Sequence, residues 1–236
     1  MPTINSNASK FSMSSRLAPS LGRVMPWFVM KRLNQHWPKA YHLLRFGTLN
    51  VNTPQHWDDG WARHGRGGFR ATDEIPSVRR RIVAIAPRNA VLLDVGCGVG
   101  ELVTMLAREK RCRCYGVDIS GVAIAELNKK GFEGRVSALP VIPYPNEMFD
   151  LVICTETLEH VSDAKRTVAE MARVARRGGT LIVSVPDGAT DREEVHVHRF
   201  AVKRLHRLLS RHFRVNDISV ISDGQDRNLL AVATKP

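Results

Sequence analysis

With 236 residues, 43% of them hydrophobic, the chain can enclose one sizeable core. No apolar run reaches the ~18 residues of a membrane-spanning helix, and Cys97, Cys112, Cys114 and Cys154 lack the paired spacing of a disulfide-built secreted domain. The net charge of +12 sits at one end: residues 1–90 carry 14 Lys and Arg against 4 acids, while residues 91–236 carry 21 against 19.

In chain order, residues 1–20 are rich in Ser and Asn and read as disordered. This acid-free, Ser- and Arg-containing start resembles an organelle transit peptide; for a secretory signal the apolar segment is short, starts late and lacks a small-residue cleavage site. "LGRVMPWFVMKRLNQHW" (Leu21–Trp37) mixes Trp27, Phe28, Val29 and Met30 with Lys31 and Arg32. That mixture suits a helix packed on the core, or one lying at an anionic lipid or nucleic-acid surface. "WDDGWARHGRGG" (Trp57–Gly68) reads as a turn-rich linker with aromatic anchors. "IPSVRRRIVAIAP" then reads as a helix leading into the main domain. The division is a basic extension over 1–75 and a domain over 76–236.

Strand-like and amphipathic stretches then alternate: "AVLLDV", "GELVTMLAREK", "CRCYGVDI", "SGVAIAELNKKG", "FDLVICT", "DAKRTVAEMARVARRGG", "TLIVSVP" and "AVKRLHRLLSRH". The alternation predicts an α/β fold, a mostly parallel sheet with helices on both faces. "FRVNDISVI" and "NLLAVATK" are separated only by "SDGQDR", which predicts an antiparallel hairpin at one edge.

The strongest local signal is "VLLDVGCGVGELV". A strand ending at Asp94 runs into Gly96, Gly98 and Gly100, and a helix follows. Such glycines permit positive φ and let a ligand approach bare backbone. The spacing departs from the dinucleotide loop G-x-G-x-x-G, because Glu101 stands where the last glycine belongs. The next strand ends in "YGVDIS", with Asp118 where a carboxylate can accept both hydroxyls of a ribose.

These residues, with "YPNEMFDLVICTETLEHV", "RVARRGGTLIVSVP" and "HVHRF", resemble the class I S-adenosylmethionine-dependent methyltransferases, in particular the group that includes ubiquinone-biosynthesis enzymes. The resemblance covers about residues 76–236 and implies a Rossmann-like, seven-stranded sheet with S-adenosyl-L-methionine as cofactor. It implies that Asp94, Gly96, Cys97, Gly98 and Gly100 face the methionine part and that Asp118 binds the ribose. Ile119, Ala138 and Leu139 would border the adenine, and Thr155 and Glu156 would close the pocket. The acid that members usually carry after the third strand, to accept the adenine amino group, is replaced by Ser137 or Ala138 in "EGRVSALPVIPYP". That departure removes a charge-assisted hydrogen bond of ~1.5–3 kcal/mol.

"TETLEHV" adds Glu156, Glu159 and His160, which share one face if the chain turns helical there. His196 and His198 in "EEVHVHRF" return to the same sheet edge. Glu156, Glu159, His160 and His198 form a possible Mg²⁺ or Mn²⁺ site, as in small-RNA 2′-O-methyltransferases, which the pattern resembles. His160, with Glu156, is the candidate catalytic group. The expected reaction is methyl transfer to a small-molecule, lipid-like or glycan-like acceptor, with oxygen favoured. The alternatives are a metal-assisted RNA methyltransferase, a nicotinamide-dependent oxidoreductase and a non-catalytic relative. A cytoplasmic protein is expected, with an organelle matrix or a membrane surface as the other settings.

Overall fold

The computed structural model describes residues 26–46, 48, 50–63, 77–223 and 226–236. The disordered start expected for residues 1–20 lies outside them. The chain divides into two compact units, Met1–Leu49 and Asn50–Pro236. The second begins at Asn50.

In the first unit, α1 (Trp27–His36) and α2 (Pro38–Phe46) are joined at Trp37. The Trp37 amide closes α1 on the Leu33 carbonyl (2.7 Å), and Pro38, which lacks an amide hydrogen, opens α2. Met30 and Tyr41 are buried.

The second unit opens with α3 (Pro54–Ala62), over residues expected to be a linker. Thr53 caps this helix by accepting the His56 amide, and Pro54 supplies a preset φ at its first position. α4 (Ser77–Ile85) follows. The sheet unit then runs β1 (Val91–Val95), α5 (Glu101–Lys110), β2 (Arg113–Asp118), α6 (Gly121–Lys129), β3 (Glu133–Val136), β4 (Phe149–Thr155), α7 (Ala164–Val174), β5 (Ala175–Pro186), α8 (Val202–Leu209), β6 (Arg214–Asp223) and β7 (Asp226–Thr234). "ARRGG", expected to end a helix, is instead the start of β5.

The seven strands lie in the order β3-β2-β1-β4-β5-β7-β6. β1 to β5 pair in parallel, β7 is antiparallel to both β5 and β6, and the last two strands make the expected edge hairpin. Alternate residues feed opposite faces. In β4, Leu151 and Ile153 join the core under α4, α5 and α6, while Val152 and Cys154 join the core under α7 and α8. Val168 and Met171 of α7 are fully buried, and truncating such a side chain costs ~2–5 kcal/mol.

From β1 the chain passes to β2 and β3 on one side, and from β3 it crosses to β4 on the other. The carboxyl ends of β1 and β4 therefore border a crevice, the position at which open α/β sheets collect ligands.

Candidate active site

Two cavities open at that crevice, of about 250 Å³ and about 650 Å³. Trp57, Trp61, Gly96, Glu156 and His160 border both. The smaller is lined by Asp118, Ile119, Ala138 and Leu139, and the larger by Asp94, Cys97, Gly98 and Thr155. Nearly all of the expected cofactor residues therefore meet at one crevice. Gly100 does not line it: it has φ 77° and starts α5 in the left-handed region, packed against Leu127.

The glycine loop is tied to β2, as Gly96 and Cys97 both donate to the Val117 carbonyl (2.8 and 3.2 Å). Gly98, at φ 52°, donates to Asp118 Oδ2 (2.9 Å), and Ser120 donates to Asp118 Oδ1 (2.9 Å). A Cβ on Gly98 would overlap the Trp61 indole, so the bare backbone admits a ring from α3. Burial raises the Asp118 carboxyl, and the amides of Ser120, Gly98 and Ile119 oppose that rise.

Asp94 is 2% exposed, and its Oδ1 has no hydrogen-bond partner among the described residues. Burial pushes it up to about 7 against the attraction of Arg79, with Asp118 adding to the rise. This is a buried acid with no ion pair among the described residues, only the attraction of Arg79 across the site. Arg79 itself pairs with Glu101, the residue that set this loop apart from a dinucleotide loop.

A family model described as a methyltransferase domain matches residues 93–183. The chain is 40% identical over 106 residues to ajmaline N-methyltransferase of Rauvolfia serpentina, covering 41% of this chain and 35% of that protein. It is 32% identical over 153 residues to a probable chloroplastic tocopherol O-methyltransferase of Oryza sativa subsp. japonica, covering 54% of this chain and 42% of that protein. A solved TehB-like SAM-dependent methyltransferase from Corynebacterium glutamicum matches with a TM-score of 0.57 at 20% identity, over 77% of this chain and 95% of that one. The chain has the class I S-adenosylmethionine-dependent methyltransferase fold. It spans well under two thirds of the length of these curated relatives.

Within this methyltransferase fold, the segment after β4 departs from expectation. Glu156 takes φ 47°, in the left-handed region, and stops the strand. A turn follows, in which the His160 amide donates to the Thr157 carbonyl (3.0 Å), and α7 starts only after Asp163, which caps it. Glu156, Glu159 and His160 therefore do not share a helical face. Glu156 opens onto the cleft, and its Oε1 accepts from Ser184 Oγ (2.8 Å). Although it is open to the cleft, desolvation by the protein packed around it raises its carboxyl against that hydrogen bond.

Glu159 turns inward instead and is 1% exposed, with neither carboxylate oxygen hydrogen-bonded among the described residues. Burial, then the Glu156 charge, pushes its carboxyl well above the usual range. One ligand atom each from Glu159, His160 and His196 lies within 4.8 Å of the others. His196 Nδ1 is 2.9 Å from both oxygens of Asp191, which also accepts from Arg199, so its Nε2 is left for the cluster. Burial acts against the Asp191 charge, but His196 and Arg199 hold Asp191 below its ordinary value. Burial lowers His160 to about 3, so its imidazole is neutral through the physiological range.

His198, expected among the ligands, is not in the cluster; its Nδ1 accepts from Arg204 (3.2 Å). The segment is not an extended strand with two histidines on one side. The amides of Val197 and His198 both bond to the Glu159 carbonyl (2.8 and 3.1 Å), and with that bend it is His196, not His198, that joins the cluster.

Sequence reasoning missed α3 and the segment before it. Trp57 meets His160 edge to face, with centroids 4.9 Å apart, and Asp58 accepts from Ser120 Oγ (2.5 Å) and the Val122 amide (3.1 Å). Asn50 and Asn52 donate to the carbonyls of His160 and Val195 (both 2.8 Å) and tie the two site loops together. The signal was present: Thr53-Pro54 is a helix start, and Trp57 and Trp61, four apart, share a helical face. Ser137, at the place of the usual adenine-binding acid, donates its hydroxyl to the Val141 carbonyl (2.9 Å). Asn50 and Ser162 line the smaller cavity as other polar partners.

Proposed function

We propose that this chain binds S-adenosyl-L-methionine in the crevice and transfers its methyl group to a small-molecule acceptor through a hydroxyl oxygen. The observation that carries the reading is Asp94: a buried acid beside the glycine loop whose Oδ1 has no partner among the described residues, lining the larger cavity, while Asp118 lines the smaller and Trp61 borders both. A ligand with an ammonium group at one end and a ribose at the other satisfies both acids. The volumes suit a nucleoside with an amino-acid tail.

In this reading Asp118 takes the ribose hydroxyls, Ile119 and Leu139 cover the adenine, and Asp94 takes the ammonium. Arg79 exchanges Glu101 for the ligand's carboxylate. The bound cofactor supplies an already electrophilic methyl group. The protein's contribution is positional: Glu156 and His160 border the space in which the acceptor would meet the methyl carbon, and Trp57 and Trp61 keep water out. The N-methylating and O-methylating relatives support methyl transfer in general, and the acceptor class is ours to propose.

The Glu159, His160 and His196 cluster supports a divalent ion. An unpartnered buried carboxylate beside two imidazoles is a suitable donor set, and Asp191 orients His196 from behind. One carboxylate and two imidazoles favour Mn²⁺ or Zn²⁺ over Mg²⁺, which prefers oxygen. Such an ion would lower the acceptor hydroxyl's pKa.

Calorimetric titration with S-adenosyl-L-methionine and, separately, with NAD tests the cofactor. Binding of the first alone is expected, with an affinity loss of about a hundredfold in Asp118→Ala, in line with two lost charge-assisted hydrogen bonds. NAD binding, or an Asp118→Ala protein that binds as tightly as the parent, would refute the assignment.

A further inference from the structure

We propose that the first unit, the α1–α2 pair, docks the protein on an anionic lipid surface. Residues 1–49 contain seven Lys and Arg and no Asp or Glu, so every formal side-chain charge in the unit is positive. The same unit turns large apolar side chains outward: Phe28 is 63% exposed, Trp37 66% and Leu43 45%. Elsewhere among the described residues, the exposed large hydrophobic side chains are all valines.

The two features coincide on the helix surfaces. Lys31 and Arg32 follow Phe28 by three and four residues, and Lys39 precedes Leu43 by four, so Phe28 and Leu43 each share a helical face with a base. Met30 and Tyr41 already supply buried apolar contacts, and the outward set is surplus to them. Helices of 10 and 9 residues cannot cross a bilayer, and no helix among the described residues is long and apolar enough to do so. What such a pair can do is lie in the headgroup layer. Trp37 and Phe28 would then reach the acyl boundary, and the Lys and Arg stems would extend to lipid phosphates.

The pattern favours lipid over other occupants. A second copy of the chain would set seven positive charges against seven more. Single-stranded RNA would use the bases and could stack on aromatic rings, but it has no use for Leu43, whereas a lipid interface accepts any apolar side chain. This inference stands independently of the methyl-transfer reading.

The test uses the full chain with sedimenting vesicles, of phosphatidylcholine alone or with one third phosphatidylglycerol. Binding is expected only to the anionic vesicles, with a blue shift of tryptophan emission and loss of binding in high salt. Lys31→Glu with Arg32→Glu should weaken partitioning at least tenfold, roughly the worth of two bases at such a surface. Phe28→Ser with Trp37→Ser should weaken it comparably; all four side chains are exposed, so both double variants should keep S-adenosyl-L-methionine binding. Absence of vesicle binding overturns the proposal. So does a self-association abolished by Phe28→Ser with Trp37→Ser, or RNA binding that this variant leaves intact while vesicles do not bind. Quenching of tryptophan emission in the unmodified protein by brominated lipid supplies a readout that needs no variant.

Discussion

The α1–α2 pair and the sheet unit treat charge in opposite ways. The first has bases without acids and turns spare apolar side chains outward. The second buries Asp94, Asp118 and Glu159 at 9% exposure or less. An ionised carboxylate in a low-dielectric interior is costly until a counter-charge arrives, so an unpartnered buried acid points to a ligand. Exposed bases cost the fold almost nothing and describe a surface. The net charge of +12 conceals this division, because the acids that matter are few and hidden.

The comparison can be broken most directly by deletion. Removing residues 1–49 should reduce vesicle partitioning to background and leave S-adenosyl-L-methionine affinity unchanged by calorimetry; a parallel collapse of cofactor binding would show that the regions do not act separately. Next in size is Glu159→Gln. Elemental analysis of the purified variant should find the divalent ion lost, whereas Glu156→Gln, whose carboxylate accepts from Ser184, should retain it. Retention of metal in Glu159→Gln would remove Glu159 as a ligand.

Asp94→Asn sharpens the same contrast through pH. The folded-state value of about 7 lies above the ordinary 3.8, so the folded protein holds this proton more tightly than the unfolded chain. Asp94 therefore contributes stability at low pH that is lost as pH rises through about 7. Asp94→Asn should remove that slope, gaining a few kcal/mol at pH 8 and little at pH 4, at ~1.4 kcal/mol per pKa unit. Urea unfolding of both proteins across that range checks it, and parallel curves would mean that Asp94 is not the strained acid. The smallest effect belongs to Asp58→Asn, which weakens the hold of α3 on Ser120 and Val122 by ~1 kcal/mol. Faster amide exchange over Trp57–Trp61 should report it.

Much of the crevice was legible because its parts are local. A strand running into Gly96–Gly100, and another ending in Asp118, are short-range patterns, and parallel pairing brings both strand ends to one edge. The Glu159 cluster was half legible. Its residue types were visible, but the choice of His196 over His198 depends on Asp191, Arg204 and a bend fixed by the Glu159 carbonyl. The helical face expected for Glu156 and Glu159 failed because Glu156 adopts a left-handed φ, which no helical periodicity anticipates. α3 was misread because Asp and Gly between its tryptophans look turn-like, although its start signal was present.

By itself the sequence determined the α/β alternation, the edge hairpin and the glycine loop, since these follow from apolar periodicity and from backbone freedoms that belong to single residues. Only the tertiary structure decided which acids lost their partners and which histidine joined the Glu159 cluster. Those outcomes depend on desolvation and on hydrogen bonds between segments far apart in the chain, such as Asn52 to Val195 and Asp58 to Ser120. Burial is a property of the assembled packing, and no local stretch of residues encodes it alone.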